Sequence, residues 1–178
     1  LPPSDLDLIH SNGINTEKFI RMTPEIRMLQ FTGSSTVAER LSQITNGKIK
    51  IEDAGLNWKI LGPGVLKEID YIAWQSDHDA YTLGGQKCSA QSILFAHEDW
   101  IKAGFIEKIK AYAEKRTFET LSIVPILTWS NKRIQSHVDA VLKIPGSRLL
   151  FGGEAITNTK VPEQYGLYKP TAIVNFRF

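Results

Sequence analysis

The chain has 178 residues, 42% of them hydrophobic and 22% charged, with a formal net charge of +2, which is the balance of a globular chain and excludes a disordered or fibrous one. Lys and Arg are scattered rather than gathered into a basic stripe, which argues against nucleic acid as a partner, and no run approaches the roughly 18 consecutive apolar residues of a membrane helix. The single cysteine excludes an internal disulfide and suits a reducing compartment.

Short apolar runs alternate with helical periods, a rhythm that predicts an α/β architecture of parallel strands joined by crossover helices. Leu6, Leu8 and Ile9 predict a short strand ending at Ser11-Asn12-Gly13, and Thr16 to Met22 a brief helix. Met28 to Phe31 reads as a buried strand broken by Thr32-Gly33-Ser34-Ser35. Val37 to Ile44 then has helical spacing, and Lys48 to Glu52 reads as a third strand with Ile49 and Ile51 on one face. Beyond Gly55 the character changes, so a boundary is expected there, with residues 1–54 and 55–178 as separate lobes. Gly62-Pro63-Gly64 punctuates the chain, after which Val65, Ile69, Ile72 and Ala73 predict a helix running toward Tyr81 and ended by Gly84-Gly85. Ala90 to Ala96 reads as a strand leading into one amphipathic helix, with Ile101, Phe105, Ile109, Tyr112 and Ala113 as its apolar stripe. After Pro125, Ile134, Val138, Val141 and Leu142 repeat the helical pattern, and Leu149 to Gly153 and Thr171 to Phe176 close the chain as strands.

Three segments carry candidate chemistry: Phe31-Thr32-Gly33-Ser34-Ser35, Ile51-Glu52-Asp53-Ala54-Gly55 and Gly84-Gly85-Gln86-Lys87-Cys88-Ser89-Ala90. A lone cysteine is more often a small buried hydrophobe than a nucleophile. Two glycines ahead of Cys88 open the backbone to a substrate, and Lys87 beside it supplies the positive charge that favours a thiolate. Glu52, at the end of an apolar strand, reads equally as a solvated terminus. Gly33 and Ser34 make a strand-to-helix turn, common in any fold, yet a helix N-terminus beside a glycine is where a pyrophosphate binds. Ser89 by itself reads as a turn hydrogen bonder. His10, His78, His97 and His137 show no ligand-like spacing, so no metal site is predicted.

In order and spacing these three segments resemble the coenzyme turn, general-base segment and nucleophile segment of the aldehyde dehydrogenase superfamily. Phe151-Gly152-Gly153 and Lys169-Pro170-Thr171 also match, so the resemblance runs from near Leu1 to Phe178. Gly-Gln-Lys-Cys-Ser-Ala is similar to the 1-pyrroline-5-carboxylate (glutamate-semialdehyde) dehydrogenase branch, plant-like members especially. The resemblance implies the end of a Rossmann-like, NAD-binding sheet in residues 1–54 and an α/β catalytic lobe, incomplete at its C-terminus, in residues 55–178. It implies Cys88 as nucleophile, its backbone N–H as an oxyanion donor and Glu52 as the base that activates water. Phe31, Gly33 and Ser34 would line the NAD(P) coenzyme, and Ser89 would bind the substrate carboxylate. Relatives usually follow the general base with Leu-Gly-Gly, where this chain has Asp53-Ala54-Gly55. Asp53 is either a second carboxylate acting on Glu52 or one paired with a Lys elsewhere. Ala38 stands where relatives often have Gly.

The implied activity is oxidation of glutamate semialdehyde to glutamate in proline catabolism, by a homo-oligomer in the mitochondrial matrix, with the cytoplasm as the alternative. Segments that the resemblance places before Leu1 and after Phe178 mark the chain as an internal fragment, expected to be association-prone and inactive alone. The rival readings are an aldehyde dehydrogenase with a different aldehyde, a cysteine hydrolase pairing Cys88 with a histidine, and a non-catalytic interaction fragment.

Overall fold

The structure is a computed structural model that describes residues 2–53, 55–64, 66–124, 126–158 and 160–175. The chain divides into two compact units, Leu1–Gly55 and Leu56–Phe178. Ala54, Val65, Pro125 and Phe176, which the sequence reading used, lie outside the described residues.

In the first unit α1 (Gly13–Met22) starts at Asn12, whose side chain accepts from the backbone N–H of Asn15 at 2.9 Å. Then come β1 (Leu29–Gly33), α2 (Ser35–Ile44) and β2 (Ile49–Asp53), a right-sized strand–helix–strand crossover in which β1 and β2 pair in parallel from Leu29↔Ile49 to Gly33↔Asp53. Ile20 of α1 and Ala38 and Leu41 of α2 are the buried apolar residues. Glu17 ties the two helices, meeting Arg21 at 2.9 Å and Arg40 at 2.8 Å. The Arg21 hydrogen bond leads, with that of Arg40, in holding the Glu17 carboxyl below its ordinary range.

The strand expected at Leu6, Leu8 and Ile9 is absent. These residues run without secondary structure and are exposed, because among the described residues no neighbouring strand offers a ladder to their backbone. Met28 is also exposed, and β1 begins one residue after it.

The second unit repeats the crossover with β3 (Asn57–Leu61), α3 (Ile69–Tyr81) and β4 (Gln91–Ala96), the strands again parallel. The sequence reading missed β3, a five-residue strand whose short alternation lies directly after the punctuation at Gly55. The long amphipathic helix expected after β4 is two helices, α4 (Glu98–Lys102) and α5 (Phe105–Ala113), because Gly104 takes φ +83°, a left-handed conformation that ends one helix and starts the next. Its apolar stripe still forms one core. Trp100 and Phe105 pack edge to face at 5.6 Å between ring centroids, against Ala73 of α3. The Trp100 indole donates to the Gly62 carbonyl at 2.8 Å. Asp77 of α3 is buried, and its carboxylate receives the Arg116 guanidinium at 2.6 Å and 3.1 Å.

Next, α6 (Asn131–Leu142) precedes β5 (Ser147–Phe151), which pairs antiparallel with β6 (Ala172–Asn175) and carries an irregularity between Leu149 and Phe151. That pair corrects the expectation of parallel strands throughout. The 20-residue excursion between β5 and β6 has no helix among the described residues and supplies no crossover, so the chain returns alongside in the opposite sense.

Candidate active site

The nucleophile candidate sits where α3 gives way to β4. At the end of α3, the Thr82 hydroxyl meets His78 Nδ1 at 3.1 Å, and the Tyr81 hydroxyl donates to the Thr171 carbonyl at 3.1 Å. Burial, and after it the negative charge of Asp77, push the Tyr81 phenol up, with Arg116 opposing. Three left-handed residues follow, Leu83 (φ +56°), Gly84 (φ +65°) and Gly85 (φ +71°). They reverse the chain so tightly that the N–H of Gln86 donates to the Leu83 carbonyl at 3.2 Å.

The Gln86 carboxamide then fastens the loop to a distant segment. Its Oε1 accepts from both the N–H and the hydroxyl of Thr128 at 2.8 Å, and its Nε2 donates to the Ile126 carbonyl at 3.3 Å. The N–H of Ala90 donates to the Lys87 carbonyl at 3.1 Å, closing a four-residue turn with Cys88 and Ser89 at its two central positions. From the first residue of β3, Asn57 Nδ2 donates to the carbonyls of Cys88 at 2.6 Å and Ala90 at 3.0 Å. Cys88 and Ser89 are exposed. Among the described residues, no hydrogen bond occupies the thiol or N–H of Cys88, or the hydroxyl or N–H of Ser89.

The arrangement offers an accessible thiol with adjacent free N–H donors, the requirement for attack on a carbonyl whose oxygen becomes an anion. The histidines of this unit are engaged elsewhere: His78 with Thr82 and, stacked at 5.4 Å, with Trp74; His97 with Asp99 at 3.1 Å; His137 against the edge of Trp129. A thiol–imidazole pair of the hydrolase type therefore does not form in this unit among the described residues.

In the first unit, the remaining candidates gather at the carboxyl ends of β1 and β2, where ligands of open parallel sheets bind. Ser34 is the N-cap residue of α2 in extended conformation, and its side chain makes no capping bond, leaving the first-turn N–H groups open to an anion. Phe31 is half-buried, and its ring lies over Gly33 so closely that a Cβ there would stand 2.5 Å from Cζ. Glu52 is exposed and pairs in register with Thr32. Its neighbours Ile51 and Asp53, with Ser35, Ala38 and Glu39, line an open groove of about 380 Å³ along α2. Since successive strand residues project to opposite faces, Asp53 stands on that groove and Glu52 on the other face. Asp53 is thus not presented beside the Glu52 carboxylate.

The sequence reading did not single out Asn57 or the role of Gln86. Gln86 lay inside the quoted motif, but a polar residue opening an unforeseen strand gave no signal at all. Among the described residues no cluster of three or more His, Cys, Asp or Glu side chains is placed to hold a metal, and no helix is long and apolar enough to cross a membrane.

The profile described as "Aldehyde dehydrogenase family" matches residues 1–177. The chain belongs to the aldehyde dehydrogenase family. It is 49% identical over 173 residues to "Delta-1-pyrroline-5-carboxylate dehydrogenase 12A1, mitochondrial" of Arabidopsis thaliana, a match covering 97% of this chain and 31% of that protein. It is 25% identical over 195 residues to a Delta-1-pyrroline-5-carboxylate dehydrogenase of Agaricus bisporus, covering 98% of this chain and 33% of the relative. The chain thus spans about a third of the length of these curated relatives. Among solved structures, succinate-semialdehyde dehydrogenase of Burkholderia pseudomallei superposes with a TM-score of 0.77 at 20% identity, over 99% of this chain and 37% of that one. That likeness establishes the aldehyde dehydrogenase fold for these residues.

Proposed function

We propose that this chain carries the nucleophile and general base of an NAD-dependent dehydrogenase that oxidises glutamate semialdehyde, the open form of 1-pyrroline-5-carboxylate, to glutamate. The observation that carries this reading is the Lys87–Ala90 turn, which presents the Cys88 thiol and its N–H unengaged. The 49% identity to the Arabidopsis thaliana protein supports the substrate class, and that relative's mitochondrial name supports the mitochondrion as the compartment.

In this reading the Cys88 thiolate adds to the aldehyde carbon, and the alkoxide of the resulting thiohemiacetal is held by the Cys88 N–H. NAD supplies the hydride acceptor. As the carbonyl reforms and hydride leaves carbon, a thioester to Cys88 remains. Glu52 takes a proton from water, the hydroxide oxygen adds to the thioester carbon, and the carbon–sulfur bond breaks to release the acid and the thiolate. The first unit suits the coenzyme: the open N-terminus of α2 after Gly33 and Ser34 fits a pyrophosphate, and Phe31 offers an aromatic ring nearby. Residues 1–54 are accordingly read as part of the coenzyme domain and residues 55–178 as part of the catalytic domain. Ser89, central in the same turn as Cys88 with its hydroxyl unengaged, is read as the donor to the substrate carboxylate.

The test is made in the native protein that contains these residues. Cys88→Ala should abolish NADH formation while leaving NAD affinity unchanged. Ser89→Ala should weaken oxidation of glutamate semialdehyde relative to an uncharged aldehyde of similar length by about 1–3 kcal/mol in kcat/KM, the cost of leaving a charged group without its donor. Equal losses on both aldehydes would make Ser89 a structural residue and withdraw it as the donor to the substrate carboxylate, and undiminished turnover by Cys88→Ala would refute the mechanism.

A further inference from the structure

We infer that Asn57 is a positioning residue for the nucleophile: its carboxamide fixes the peptide planes that follow Cys88 in the turn that carries the thiol. This rests on the reading of Cys88 as the nucleophile. A carboxamide nitrogen has two hydrogens, and Asn57 directs both at the turn, one to the Cys88 carbonyl at 2.6 Å and one to the Ala90 carbonyl at 3.0 Å. Its choice of partner is informative. Gln91 is the register partner of Asn57 across the β3–β4 ladder, and its buried Oε1 has no hydrogen-bond partner among the described residues. A nearby acceptor therefore goes unserved while the turn takes both hydrogens.

The peptide unit is planar and trans, so its C=O and N–H point in opposite directions. Fixing the Cys88 carbonyl on Asn57 aims the Ser89 N–H the other way, and fixing the Ala90 carbonyl does the same for the N–H of Gln91. With Ala90 N–H held by Lys87, every peptide of the turn after Cys88 has one end tied, and the side chains of Cys88 and Ser89 are carried by a backbone that cannot rotate freely. Asn57 acts through the turn, since its amide is spent on two carbonyls and is left with no hydrogen for substrate.

Isosteric Asn57→Asp removes both hydrogens and sets a carboxylate against two carbonyl oxygens. Asn57→Ser keeps one donor at shorter reach. In the native protein, single-turnover NADH formation with enzyme in excess over glutamate semialdehyde should slow by about tenfold to a hundredfold in Asn57→Asp, the scale expected when reacting atoms are misplaced by about an ångström. Asn57→Ser should fall between it and the parent. The loss should appear in kcat with KM changed much less, and NAD affinity should be that of the parent. Each variant is measured below its own unfolding transition, followed by tryptophan fluorescence. Single-turnover rates within twofold of the parent in both folded variants would overturn the proposal, as would a loss confined to KM. Failure of the underlying reading has a different signature, namely a Cys88→Ala protein that still forms NADH.

Discussion

Gly152→Ala gives the sharpest test of how the second unit is held together. Gly152 follows β5 with φ +73°, and a Cβ placed on it would lie 2.0 Å from the Pro170 carbonyl oxygen, 2.7 Å from Thr171 Oγ1 and 2.8 Å from the Pro170 carbonyl carbon. The first and last of these are backbone atoms and cannot swing aside. Separating them moves Thr171, which accepts from the Gly153 N–H at 2.9 Å through its hydroxyl and from the Tyr81 hydroxyl at 3.1 Å through its carbonyl. The left-handed conformation costs alanine about 1–2 kcal/mol, forced overpacking about 1–3, and each of the two hydrogen bonds about 1, so the variant should lose roughly 4–7 kcal/mol. Gly104→Ala is the matched control, because φ there is +83° but the nearest atom to a new Cβ is Glu107 Oε2 at an ordinary 3.7 Å. It should lose only the backbone part, about 1–2 kcal/mol. Urea unfolding followed by intrinsic fluorescence reads this directly, since all 4 tryptophans lie in the unit Leu56–Phe178. Losses within about 1 kcal/mol of each other for the two variants would show that the close approach at Gly152 does not matter.

Two further perturbations probe the frame behind the nucleophile turn. Arg116→Met should cost about 3–5 kcal/mol by leaving the buried Asp77 carboxylate uncompensated, while pairing it with Asp77→Leu should recover much of that loss in the same unfolding assay; equal losses in the single and double variants would count against a coupled pair. The Tyr81 phenol is raised in the folded chain from its ordinary 10.0, so below pH 10 both states are protonated and its full contribution is present. Above pH 10 the unfolded state ionises first, so stability should fall by about 1.4 kcal/mol per pH unit from this group. Tyr81→Phe should flatten the alkaline slope between pH 10 and 11.5, and parallel slopes for parent and variant would refute it.

The first crossover unit, and α3 and β4 of the second, were legible because their signals are local. Leu29 to Phe31, Val37 to Leu41, and Ile69 to Ala73 carry their periodicity within one element, and Gly47, Gly84 and Gly104 stand where the chain turns. Gly104 nevertheless lay inside an apolar stripe unbroken from Ile101 to Ala113, so its left-handed kink was hidden by a period that both short helices satisfy. Leu6, Leu8 and Ile9 misled for the opposite reason: three apolar residues make a strand only if another strand pairs with them. At the candidate site, Cys88, Ser89 and Glu52 were singled out by the motifs around them. Asn57 was not, since its importance lies in two hydrogen bonds to carbonyls 31 and 33 residues away, a relation that no spacing along the chain encodes.

In the proposed reaction the thiol of Cys88 carries the acyl group and Glu52 activates the water that removes it. The most direct measurement uses the Glu52→Gln variant of the native protein, mixed with NAD and glutamate semialdehyde, quenched with acid and examined by mass spectrometry of the peptide containing Cys88. A carboxamide cannot take the proton from water, so hydride transfer should proceed while hydrolysis stalls. A single burst of NADH close to one equivalent per site is expected, with the peptide bearing Cys88 increased by the mass of a glutamyl group in thioester linkage. NADH formed continuously at the parent's rate, or a burst that leaves Cys88 unmodified, would contradict it.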